Sequence, residues 1–113
     1  MDCSDYICQF WLLDVEFDFS GMETRLYFLL LDIAMHKRRF NNIQLNKTFL
    51  MIFVGCSLTQ LKKGRRTLRN ANLIDYYTFQ NKCSVYSLII RDDYERETYD
   101  PYAFINERCV VEQ

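Results

Sequence analysis

Three consecutive residues, Gly55-Cys56-Ser57, constrain the fold of this chain more than any other stretch. Glycine takes the positive φ that closes a helix, and serine supplies the hydroxyl that opens one. Lys47 to Val54, preceded by Asn46 as an N-cap, therefore reads as a short helix, and Leu58 to Asn70 as a second one capped by Ser57. Two helices joined by a turn this short and containing Gly form the helix-turn-helix pattern.

The second of these helices is patterned by face. Leu61, Gly64, Arg65 and Leu68 fall on one stripe at helical spacing, with Leu61 and Leu68 as core anchors. Gly64 costs about 1 kcal/mol of helix stability relative to Ala, so its presence on the core stripe predicts close approach of a neighbouring helix. The other face presents Thr59, Gln60, Lys62, Lys63, Arg66, Thr67 and Asn70. These are side-chain types that hydrogen-bond base edges and phosphates. Asn72 stands where a left-handed residue ends the helix.

The flanks supply the rest of a small domain. Ser4 caps a short helix over 4–14 with Ile7, Phe10 and Trp11 on one face. Residues 15–19 alternate apolar and acidic, as either an extended piece or the frayed end of that helix. Ser20-Gly21-Met22-Glu23 is a capping box opening a helix to about Lys37, striped by Met22, Leu26, Leu29, Leu30 and Ile33. Ile43-Gln44-Leu45 reads as a short strand. Residues 73–79 and 84–90, rich in β-branched and aromatic types, read as a hairpin turning through Gln80-Asn81-Lys82-Cys83. The fold class expected is mainly α with a small β-hairpin, α+β, with extra helical segments at both ends. A domain over 1–90 is followed by an acidic tail over 91–113, where Asp100-Pro101 opens a last short helix over about 101–110.

Charge is distributed in blocks. Between Ile33 and Ile74 there is no Asp or Glu and there are nine Lys or Arg, while 1–32 carries −6 and 75–113 carries −4. The net charge of −1 therefore conceals a dipolar chain with a basic middle suited to a polyanion. The bases cluster as Lys37, Arg38 and Arg39 at one helix end, and as Lys62 to Arg69 on the basic helix. Lys82 lies at the hairpin tip. Arg65 and Arg69 lie nearer the core side, and Asp75 is a candidate partner for Arg65.

The run from Gly55 to Ile74 resembles the recognition-helix region of winged-helix DNA-binding domains. Together with the aromatic first helix (Phe10, Trp11) and Glu23 to Leu30, it is similar to the N-terminal domains of phage, plasmid and transposon replication-initiation proteins, including the DnaD-like group. The resemblance covers roughly residues 6–90. Gln60 departs from the usual Ser or Thr, and Asn72 from the usual Gly. It implies a winged helix-turn-helix binding double-stranded DNA, in replication initiation or transcriptional regulation of a mobile element. Thr59, Gln60, Lys62, Lys63 and Arg66 would then face bases and backbone in the groove, with Lys37, Arg38, Arg39 and Lys82 gripping phosphates.

Other chemistries find little support. The five cysteines include no C-x-x-C pair, and the single histidine, His36, completes no zinc spacing. Free thiols imply a cytoplasmic location. Asp92, Asp93, Glu95 and Glu97 lack a calcium-loop spacing and read as a solvated linker. The aromatic set Tyr6, Phe10, Trp11, Phe17 and Phe19 reads as core or subunit interface rather than a small-molecule site. We expect no enzyme activity, no cofactor, no metal and no membrane span. The rival reading is a winged-helix oligomerisation module, a homodimer built on the aromatic N-terminal helix and the tail tyrosines. In a further version the acidic tail covers the basic face.

Overall fold

The computed structural model describes residues 3–80 and 83–91. The order is α1 (Cys3–Phe17), α2 (Gly21–Lys37), β1 (Ile43–Asn46), α3 (Lys47–Val54), α4 (Leu58–Asn70), β2 (Ile74–Gln80) and β3 (Cys83–Leu88). The chain is mainly helical with a small three-stranded antiparallel sheet, an α+β arrangement in the order β1-β3-β2. The hairpin tip at 81–82 with Lys82, the tail beyond Arg91 and the short helix expected there lie outside the described residues.

Helix boundaries follow local capping chemistry. At α2, the Glu23 N–H donates to Ser20 Oγ at 3.2 Å and the Ser20 N–H to Glu23 Oε1 at 2.9 Å, the reciprocal box expected from the sequence. The α1–α2 joint is fixed by Asp14: its Oδ1 accepts from the Phe19 N–H at 2.9 Å and its carbonyl from the Asp18 N–H at 2.8 Å. Residues 15–17 are thus the end of α1, and Asp18 turns the chain at φ 50°. α2 ends earlier than the Asn41-Asn42 pair. Arg38 adopts φ 54° and the Arg39 N–H returns to the Ala34 carbonyl. Asn72 takes φ 60° as expected.

The core forms between α2 and everything else. Leu26, Tyr27, Leu30, Leu31 and Ala34 of α2 are buried with Leu50, Val54, Leu61, Leu68, Leu73 and Ile74. α2 is therefore buried over more of its girth than the sequence stripe implied: Met22, Leu29 and Ile33 pack at its margin, while Tyr27 and Leu31 go inside. Phe10 of α1 sits at the centre of an aromatic cluster, stacked on Phe19 at 5.0 Å and on Tyr27 at 4.8 Å. Tyr27 donates its hydroxyl to the Tyr6 carbonyl at 3.0 Å, and burial pushes that phenol far above its ordinary range. Trp11 and Phe17 remain partly exposed.

Both strands of the hairpin are shifted from expectation. Leu73 lies before β2, and Ile89 and Ile90 lie beyond β3. The two segments still meet there, the Ile89 N–H donating to the Leu73 carbonyl at 3.0 Å. Leu73 is held to the end of α4, its own N–H donating to the Leu68 carbonyl at 3.1 Å. Beyond β3, buried Gln9 of α1 partners the remaining groups: its Nε2 donates to the Ile89 carbonyl at 2.8 Å and its Oε1 accepts from the Arg91 N–H at 2.7 Å.

Candidate nucleic-acid interface

α4 is placed by its two ends and by one close approach. At its start, the Gln60 N–H donates to Ser57 Oγ at 3.2 Å and the Ser57 N–H to Gln60 Oε1 at 2.9 Å, a second capping box. Gly55, at φ 78°, ends α3 one turn earlier. In the middle, a Cβ on Gly64 would lie 2.6 Å from Met22 Cε, so α4 crosses α2 at its first turn, as the glycine on the core stripe predicted.

This crossing sorts the side chains of α4. Leu61, Gly64, Arg65 and Leu68 are buried; Thr59, Gln60, Lys62, Lys63, Arg66, Arg69 and Asn70 are exposed. No carboxylate among the described residues stands within salt-bridge distance of Lys62, Lys63, Arg65 or Arg66. Among the described residues their positive charge is uncompensated. Gln60 contributes less than its type promised, because its carboxamide oxygen is held by the cap.

Arg65 and Arg69 turn toward the sheet. Arg65 Nη1 donates to the Tyr86 hydroxyl at 3.1 Å and to Ser84 Oγ at 3.4 Å, so its partners are hydroxyls of β3 and not Asp75. The Asp75 carboxylate accepts from the Tyr76 N–H instead. Both guanidinium groups lie against the Tyr76 ring, Arg69 at 4.2 Å and Arg65 at 4.7 Å from its centroid. Burial raises the Tyr86 phenol above its ordinary 10.0, with the Arg65 hydrogen bond and charge only opposing that shift. Tyr86 therefore stays neutral near pH 7 and gives Arg65 no counter-charge.

The second cluster is set apart. Lys37, Arg38 and Arg39 are exposed at the C-terminal end of α2. Gly64 packs on Met22, about 22 Å along the helix axis from Lys37 at about 1.5 Å per residue. The cluster thus occupies the opposite end of α2 from the α4 crossing. Arg38 is also the left-handed cap of α2, and Arg39 Nε donates to the Asn41 carbonyl at 3.2 Å. His36 faces Asp32, with Nδ1 3.6 Å from its carboxylate.

Lys47, Thr78 and Ser84 were not singled out by the sequence. They join Lys62 and Arg65 around a cleft of about 350 Å³ between α4 and the hairpin. Thr78 and Ser84 stand opposite each other in the β2–β3 ladder, a register the sequence does not display.

Cys3, Cys8, Cys56 and Cys83 form no disulfide among the described residues, and burial pushes the Cys56 thiol up, with Arg25 opposing. Among the described residues, no helix is long and apolar enough to cross a membrane. Comparison of the chain with protein-family models, with curated proteins and with solved structures gave no match in any of the three.

Proposed function

We propose that the chain is a winged helix-turn-helix domain that binds double-stranded DNA through α4, in replication initiation or transcriptional regulation of a mobile element. The observation that carries the reading is the division of α4. One stripe is buried on α2 and the sheet, and the other exposes Thr59, Lys62, Lys63 and Arg66 with no carboxylate within salt-bridge distance among the described residues. Element order supports it: a helix, a strand, two helices joined at Gly55-Cys56-Ser57, and a hairpin, with the sheet order β1-β3-β2. In this reading α4 enters the major groove and the hairpin is the wing. The replication or regulatory role rests on the sequence resemblance alone.

Fluorescence anisotropy with a labelled duplex tests it. With about four phosphate contacts, log K should fall with log salt at a slope of about −3.6. Replacing Lys62, Lys63 and Arg66 together with Ala should flatten the slope toward about −0.9. Absence of binding at low salt, or an unchanged slope in the triple variant, refutes the reading.

A second reading has its own observation. Val15 of α1 is 88 % exposed and Ile52 of α3 is 70 % exposed, apolar groups fitted to a protein surface. A dimer through these helices would show twice the monomer mass on size exclusion without DNA, and a DNA-driven assembly only with it.

A further inference from the structure

Arg65 is 9 % exposed, and its charge meets no carboxylate among the described residues. A buried cation without a counter-ion is costly, and the Tyr76 ring and two hydroxyls offset that cost here without neutralising the charge. The guanidinium is also incompletely bonded. Nη1 is committed to Ser84 and Tyr86, while Nε is buried with no hydrogen-bond partner. An unpartnered guanidinium N–H is a donor that an oxyanion can satisfy.

The surroundings match an oxyanion. Arg65 lines the cleft with Lys47 and Lys62, so three cations and, among the described residues, no acid converge on it, together with the hydroxyls of Thr78 and Ser84. Its volume of about 350 Å³ lies at the lower end of the range for small-ligand sites. Ser84 Oγ accepts from Arg65, and the Ser84 and Thr78 hydroxyls share a hydrogen bond of 2.9 Å that either can donate. The pair therefore keeps one hydroxyl hydrogen beyond that bond for an incoming acceptor. A phosphate group, carrying close to two charges and several acceptor oxygens, suits this set better than a single carboxylate.

We infer that the cleft between α4 and the β2–β3 hairpin is a phosphate-binding site, formed by Lys47, Lys62 and Arg65 with the hydroxyls of Thr78 and Ser84. The inference goes beyond the duplex reading and does not require it. The phosphate belongs either to a DNA backbone or to a free phosphate-bearing ligand.

Titration of the ¹⁵N-labelled full chain with inorganic phosphate, at ionic strength held constant with chloride, tests the site. Saturable shifts are expected at Lys47, Thr78 and Ser84 and at the Arg65 Nε–H. Lys47→Gln, outside α4 and partly exposed, should weaken phosphate at least threefold while keeping the dispersed spectrum. Thr78→Val should weaken it less. Shifts that never saturate, shifts scattered over all exposed lysines, or equal affinity in Lys47→Gln overturn the site. Competition distinguishes the sources. Saturating phosphate that displaces a duplex from the wild type, and less from Lys47→Gln, assigns the cleft to the backbone. A duplex that is unaffected assigns it to a separate ligand. Localised phosphate binding without any duplex binding upholds the cleft and removes only the proposed function.

Discussion

The contact between Arg65 and Tyr86 yields the sharpest energetic prediction. Tyr86 is almost fully buried, and its hydroxyl receives the Arg65 Nη1 hydrogen at 3.1 Å. A hydrogen bond from a charged donor contributes about 1.5–3 kcal/mol, so Tyr86→Phe should cost about 2 kcal/mol in the wild-type background. Arg65→Met removes the same bond and the longer one to Ser84. It also removes the desolvation cost of a buried cation, which opposes the loss of the two bonds, so its own effect should be small. With Met at 65 the phenol has lost its donor, and Tyr86→Phe should then cost less than about 0.5 kcal/mol. The coupling energy is thus about 2 kcal/mol for a contact pair. Urea unfolding followed by circular dichroism, in phosphate-free buffer and with m-values compared, measures all four corners of the cycle. Tyr86→Phe costing the same in both backgrounds would refute the assignment of Tyr86 as the principal partner of Arg65.

Two further perturbations test other parts of the fold. Ser57→Ala removes the hydroxyl that receives the Gln60 N–H and should lower stability by about 1 kcal/mol in urea melts, with duplex affinity falling by no more than the folded fraction does. Tyr27 and Tyr86 both have phenols raised by burial, so the folded state holds their protons more tightly than the unfolded state does. Their contribution is complete below the ordinary phenol value of 10.0 and is lost as pH climbs above it. Tyr27→Phe should cost about 1 kcal/mol at neutral pH and move the alkaline unfolding limb, read by circular dichroism, to higher pH.

Legibility in the sequence followed how local each determinant is. Ser20 with Glu23, Asn46, Gly55, Ser57 and Asn72 act within a turn of their own helix, and they mark α2, α3 and α4 correctly to within a residue or so. The stripe of Leu61, Gly64, Arg65 and Leu68 is also local, and all four are buried. Determinants that act across the chain were hidden. Gln9 meets Ile89 and Arg91 across some 80 positions, so its hold on the chain beyond β3 has no local signature. Arg65 was offered Asp75 because charge is what a sequence displays. The fold instead brings it Ser84 and Tyr86, whose hydroxyls cannot be matched to it without the strand register. Gln60 fits both a base edge and a capping box, and only geometry separates the two uses.

The most direct test follows backbone amide shifts of the ¹⁵N-labelled chain as a duplex is added at low salt. Binding through α4 predicts perturbation concentrated at Thr59, Lys62, Lys63 and Arg66, with the buried stripe of Leu61 and Leu68 moving less. Perturbation confined to the exposed apolar residues of α1 and α3, or no perturbation at all, contradicts it.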